Sequence, residues 1–140
     1  MRIRYFLLPA ILLSALGAGL SSDLPNTPVE AKCAVASVKS AFQRSKAVFA
    51  GEVIAEEKEG DIKKYTFRVD KFWKGDGAKQ VDIFVYQTAR YQPPFREGGQ
   101  FLVYAHDVDG QLSVARCSRN KLLTNAEDDL RELGAGKTPK

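Results

Sequence analysis

Histidine is almost missing from this chain: His106 is the only one in 140 residues, alongside one methionine, one tryptophan and two cysteines. A hydrolase built on a nucleophile and an imidazole base therefore has a single histidine to draw on. His106 follows an apolar run and precedes the turn-forming residues 107–110, where a solvated side chain is expected. No spacing singles out a carboxylate pair such as Glu52 with Asp70, so the sequence points away from an enzyme. The Cys-x-x-Cys spacing of a redox-active or zinc-binding pair does not occur, and no cofactor or metal is expected. A strong charge of one sign is lacking too. The 21 Lys and Arg against 17 Asp and Glu leave a formal +4, too little to argue for nucleic acid or an anionic membrane surface. Along residues 56–71 the signs are mixed, as on a solvated face.

What is present begins with a leader. Arg2 and Arg4 precede an apolar run over residues 5–20, interrupted by Pro9 and Ser14 and ending in Ala15, Gly17, Ala18 and Gly19. A basic start, an apolar middle and a small-residue exit describe a secretory signal peptide, assigned to residues 1–20. An uncleaved anchor would need about 20 apolar residues, and this run is shorter and carries a proline. The mature protein is thus expected to be secreted or periplasmic, with no membrane association after cleavage. Residues 21–32, with Pro25 and Pro28, read as an extended lead-in, residues 33–134 as one domain, and residues 135–140 as a disordered tail.

In an oxidising compartment two cysteines in a small domain are expected to pair, and only one intramolecular connectivity exists, Cys33 to Cys117. Between them the hydrophobic period changes. Val35, Val38, Ala41 and Phe42 fall at helical spacing, with Lys39, Gln43 and Arg44 opposite, which predicts a short amphipathic helix packed through Val38 and Phe42. Residues 48–55 are β-branched and aromatic. Tyr65, Phe67, Val69, Lys71 and Trp73 share one face of a second strand, and Val81, Ile83 and Val85 point inward from a third. A proline-containing connection over residues 87–99 leads to a hairpin, residues 101–105 and 112–115, across an Asp-Gly turn. Residues 107–110 also look like the start of a calcium loop, but no glutamate follows at the required spacing. A last helix is expected from Asn125, as its cap, with the stripe Ala126, Leu130 and Leu133 and Gly134 as its stop. The fold class that results is mostly β: about five strands in a small closed or nearly closed barrel, with a short N-terminal and a C-terminal helix.

The blocks Cys33…Phe42…Val48-Phe49-Ala50-Gly51-Glu52-Val53, Phe72-Trp73-Lys74-Gly75, residues 98–105 and Cys117-Ser118-Arg119-Asn120 resemble the inhibitory domain of the tissue inhibitors of metalloproteinases, in particular its compact exported relatives. The resemblance covers residues 33–133 and implies a five-stranded, OB-like (netrin-like) barrel. It also implies a partner, a zinc metalloprotease whose zinc is chelated by the α-amino group and carbonyl of the inhibitor's first residue. The chain departs from that pattern: Ala31 stands where the family has its first cysteine, and the loop over residues 87–96 has none. Val29-Glu30-Ala31 also satisfies the small-residue rule for cleavage, which would leave Lys32 and Cys33 at the terminus as the protease contact. The alternative is a surface or adhesion module that binds protein without inhibiting anything.

The barrel suggests one more surface. Tyr86, Arg90, Tyr91, Phe95 and Arg96 have the character of a single-strand binding platform, although export and weak net charge argue against nucleic acid. Tyr91 and Phe95, in a loop with prolines, are candidate contacts for a protein partner; equally, they cover the barrel mouth.

Overall fold

Tyr65, Phe67 and Val69 alternate with Thr66, Arg68 and Asp70, and this alternation forms the second strand of a mixed sheet in the computed structural model, which describes residues 33–87 and 91–140. The elements run α1 (Val38–Arg44), β1 (Ala47–Glu59), β2 (Ile62–Lys74), β3 (Gln80–Tyr86), β4 (Gln100–Val108), β5 (Gln111–Ser113), β6 (Lys121–Leu122), a 3-10 turn (Leu123–Asn125) and α2 (Glu127–Leu133). The predicted leader, the lead-in and Lys32 lie outside the described residues, as does Arg90.

The sheet order is β1-β2-β3-β5-β4-β6, and β1 also pairs with β4, so five strands form a ring. Its parallel joint is short, with Phe84 of β3 opposite Ser113 of β5. The sixth strand, β6, was not foreseen: two residues are too few to carry a period-two signal. Between β4 and β5 the Asp109-Gly110 turn has φ of 53° and 83°, the left-handed pair that a two-residue hairpin requires.

The ring encloses an aromatic cluster. Phe67 is fully buried, edge-on to Phe49 at 5.3 Å, to Phe95 at 5.1 Å and to Phe101 at 6.5 Å. Burying each such side chain contributes about 1.5–3 kcal/mol, with a further ~0.5–1.5 kcal/mol per aromatic pair. Residues 47–51 of β1 and 101–105 of β4 are buried on both faces. Phe49, Phe101, Val103 and Ala105 face the ring interior, while Val48, Leu102 and Tyr104 pack outward with Ala41, Ala126, Phe42 and Leu130 of the helical side. This explains the unbroken apolar run over residues 101–105. Gly51 lies where the β1 and β2 backbones crowd together: a Cβ there would sit 2.4 Å from the Arg68 carbonyl oxygen.

The predicted alternation of β2 breaks after Val69. Gly51 opposes Val69 and Ala50 opposes Lys71, so the register passes over Asp70. This bulge turns Phe72, instead of Lys71 or Trp73, toward the ring interior and sends Trp73 to the helical side. α1 is capped by Ser37, whose hydroxyl accepts from Ser40 N–H at 3.2 Å, and it buries Val38 and Ala41 with Phe42 half-buried. Asn125 does not cap α2. It ends the 3-10 turn, Ala126 takes the cap position, and the acidic first turn of Glu127, Asp128 and Asp129 faces the helix dipole instead.

The tail over residues 135–140 runs beside β2. Lys137 exchanges two backbone hydrogen bonds with Phe72 (2.9 and 2.8 Å), and Lys140 N–H donates to the Gly77 carbonyl at 3.1 Å. β3 pairs with β2 only as far as Arg68, and the tail partners the backbone edge that β3 leaves. Small polar residues carry no periodicity, so nothing in the sequence marks this pairing.

Candidate functional site

Ahead of Ser37 the chain runs without regular structure from Cys33, and it is fastened at both ends. At the start, Cys33 is bonded to Cys117 across 84 residues with a Cα–Cα distance of 5.3 Å. At the finish, the Ala36 carbonyl accepts from a terminal nitrogen of Arg119 at 2.8 Å. Between these points Cys33, Ala34 and Val35 are exposed, Val35 by 58%. The result is a short apolar ridge whose backbone is held before any partner arrives, which reduces the ordering cost of binding.

Arg119 is itself held from behind. Its Nε and second terminal nitrogen meet the two carboxylate oxygens of Asp129 at 2.8 and 2.5 Å, a bidentate fork. Asp129 is 1% exposed and also accepts from Lys121 Nζ at 2.9 Å and the Tyr104 hydroxyl at 2.8 Å. Burial pushes its carboxyl up, but the hydrogen bonds from Arg119, Lys121 and Tyr104 outweigh this and hold it down at about 2. Burial, together with the carboxylate beside it, pushes the Tyr104 phenol well above its ordinary value. Asn120 Oδ1 accepts from Tyr104 N–H at 2.6 Å, and the Ser118 hydroxyl donates to the Ala115 carbonyl at 2.7 Å. The block Cys117-Ser118-Arg119-Asn120 thus locks the ridge, β4 and α2 together.

Its companion block is structural as well. Phe72 packs on the ring core, Trp73 Nε1 donates to the Gly134 carbonyl at 3.0 Å, and Lys74 Nζ donates to the carbonyls of Phe42 and Gln43 at 2.8 and 3.2 Å. Lys74 thereby caps the last carbonyls of α1.

Beside the ridge lies a cleft of about 320 Å³ between α1, the end of β4 and residues 115–119. Ala34, Ala36, Ala41 and Ala115 wall it, and Arg44, His106 and Arg119 reach it; neither Asp nor Glu lines it.

The sequence-derived contacts are distributed unevenly around this site. Cys33 and Cys117 form the bond expected of them and stand at its edge, while Lys32 is not among the described residues. Tyr91 is half-buried; its hydroxyl donates to the Ala115 carbonyl at 3.2 Å, and burial pushes its phenol up to about 12. Phe95 is 5% exposed, edge-on to Tyr65 at 5.3 Å and to Phe101 at 5.1 Å, so its ring fills the core where no partner reaches it. Of the two roles the sequence leaves open for Phe95, this burial fits the covering one. Sequence reasoning did not single out Arg44 or Asp129. For Asp129 a signal existed: it lies on the buried stripe of Ala126 and Leu130, where an acid needs a partner.

Among the described residues no group of three His, Cys, Asp or Glu side chains is placed to hold a metal ion, and no helix is long and apolar enough to cross a membrane. A disulfide of this kind fits an extracytoplasmic compartment. No family model matches the chain, and no curated protein does either.

Proposed function

We propose that this chain is an exported, non-catalytic binding module, an OB-like (netrin-like) barrel that inhibits a zinc metalloendopeptidase through the segment beginning at Cys33. The observation that carries the reading is the apolar ridge over residues 33–36, exposed at Cys33, Ala34 and Val35 yet fastened by a covalent bond at one end and the Arg119 hydrogen bond at the other. The ring order β1-β2-β3-β5-β4, closed by the β1–β4 pairing, supports the barrel type. In the family that the sequence resembles, the equivalent segment is the wedge that enters the protease cleft. A chain starting at Lys32 would present its amine and carbonyl as zinc ligands directly ahead of this ridge.

A second reading, a surface or adhesion module, draws on different residues. Ile62 and Tyr86 face one another across β2 and β3 and are 37% and 53% exposed, an apolar pair away from the ridge.

Intact-mass measurement of the exported protein, followed by titration against a panel of zinc metalloendopeptidases, tests the proposal. A mass starting at Lys32 and stoichiometric inhibition abolished by N-acetylation are expected. A mature terminus near residues 18–23 with no inhibition would overturn it and favour the adhesion reading.

A further inference from the structure

We infer that the cleft beside the Cys33–Cys117 bond receives an acidic side chain, Glu or Asp, from the protein that lies along the ridge. The inference rests on the reading of the ridge as a contact segment and adds what the neighbouring cleft selects.

Charge complementarity carries it. Every ionic side chain reaching the cleft is a base, and no carboxylate lines it. Arg44 spends only its Nε on the protein, donating to the Ser40 carbonyl at 3.4 Å; among the described residues its terminal nitrogens form no hydrogen bond or ion pair. A planar guanidinium fork matches a carboxylate, and such charge-assisted bonds are roughly twice as strong as neutral ones. Arg119 adds to this field from the cleft floor. Together with Lys121 it outnumbers the single Asp129 carboxylate between them, which leaves the cluster one positive charge in excess. His106 reaches the same space, and its ring makes no hydrogen bond among the described residues.

The walls decide between acids. Four alanines, beside the hydroxyls of Ser45, Tyr104 and Ser118, give the methylene stem of one side chain apolar wall to lie against as it enters from the ridge. A sulfated glycan would ask for a longer row of cations than Arg44 and Arg119 provide. The cleft lies at the small end of ligand sites, in keeping with one anchoring residue.

The test is a ¹H–¹⁵N titration of the exported, disulfide-intact protein with N-acetyl-glutamate amide, with N-acetyl-glutamine amide as the uncharged isostere. Saturable shifts are expected at the Ala34, Ala36, Ala41 and Ala115 amides, with the glutamine compound binding at least about tenfold more weakly. Arg44→Gln, on the exposed end of α1, should weaken glutamate binding by about tenfold while leaving the spectrum otherwise folded. His106→Gln serves as a second variant if Arg44→Gln disturbs the helix. Equal binding of the two amides, shifts scattered away from the cleft, no response to millimolar glutamate amide, or indifference to both variants would overturn the inference. So would a sulfated disaccharide that displaces the glutamate amide at lower concentration. No protease is present in this titration, so its failure leaves the inhibition reading standing, and a silent protease panel leaves the cleft result intact.

Discussion

Arg119 grips Asp129 with two nitrogens, at 2.8 and 2.5 Å, and spends its third on the Ala36 carbonyl 83 residues earlier in the chain. One side chain thus joins the ridge to α2. Arg119→Met is expected to lower stability by about 3 kcal/mol, since removing one partner of a buried pair leaves a poorly compensated charge. Urea denaturation measures the loss, and a change under about 1 kcal/mol would show that Lys121 and Tyr104 suffice to hold the carboxylate. The same variant should broaden the amide signals of Ala34 and Val35, because the ridge loses its second fastening.

Acid should act on the same cluster. Although burial opposes ionisation, the hydrogen bonds to Asp129 hold it at about 2 against an ordinary 3.8. A carboxyl with a lowered folded-state value stabilises the fold above the unfolded value, and that contribution is lost as pH falls through the folded value. Stability should therefore drop between about pH 4 and pH 2, by about 2 kcal/mol from this group. Asp129→Asn should flatten that part of the pH profile, and an unchanged slope would refute the assignment.

Reduction of Cys33–Cys117 releases a constraint spanning 84 residues of sequence. In the chain-entropy account this is worth about 4–5 kcal/mol. Urea midpoints with and without reductant should differ accordingly, as should those of a Cys33→Ser, Cys117→Ser double variant. Equal midpoints would mean that the bond positions the ridge without stabilising the domain.

Trp73 is the only tryptophan of the chain, so its fluorescence reports on one place. It donates to the Gly134 carbonyl and lies against Gly136, at the start of the paired tail. Ending the chain after Gly134 should shift its emission to the red and cost about 1–2 kcal/mol, from two lost backbone hydrogen bonds at Phe72 and newly wetted indole. An unshifted spectrum would show that the tail does not cover the indole in solution.

Much of the architecture was legible before any coordinates. Period-two alternation located β2 and β3, the stripe of Ala126, Leu130 and Leu133 located α2, and the Asp-Gly pair located the β4–β5 turn. The two cysteines implied their bond. Each of these signals is local, or admits a single pairing, so the sequence alone suffices. The contents of the candidate site were less legible. Cys33 and Cys117 were in view, but Arg119 was legible only as part of a block, Arg44 and Ala41 only as opposite faces of the first helix, and the cleft they line not at all.

What the sequence by itself determined is therefore the elements and the covalent link, because backbone period, turn chemistry and cysteine count are properties of neighbouring residues. The tertiary structure alone decided that five strands join in a ring, that a bulge at Asp70 turns Phe72 inward, that Phe95 fills the core, and that Lys137 pairs with Phe72. It also decided that Arg119, Asp129 and Ala36 meet. These outcomes depend on which surfaces are left unpaired once the strands have associated, and residues far apart in sequence carry no mutual mark of that until the chain has closed on itself.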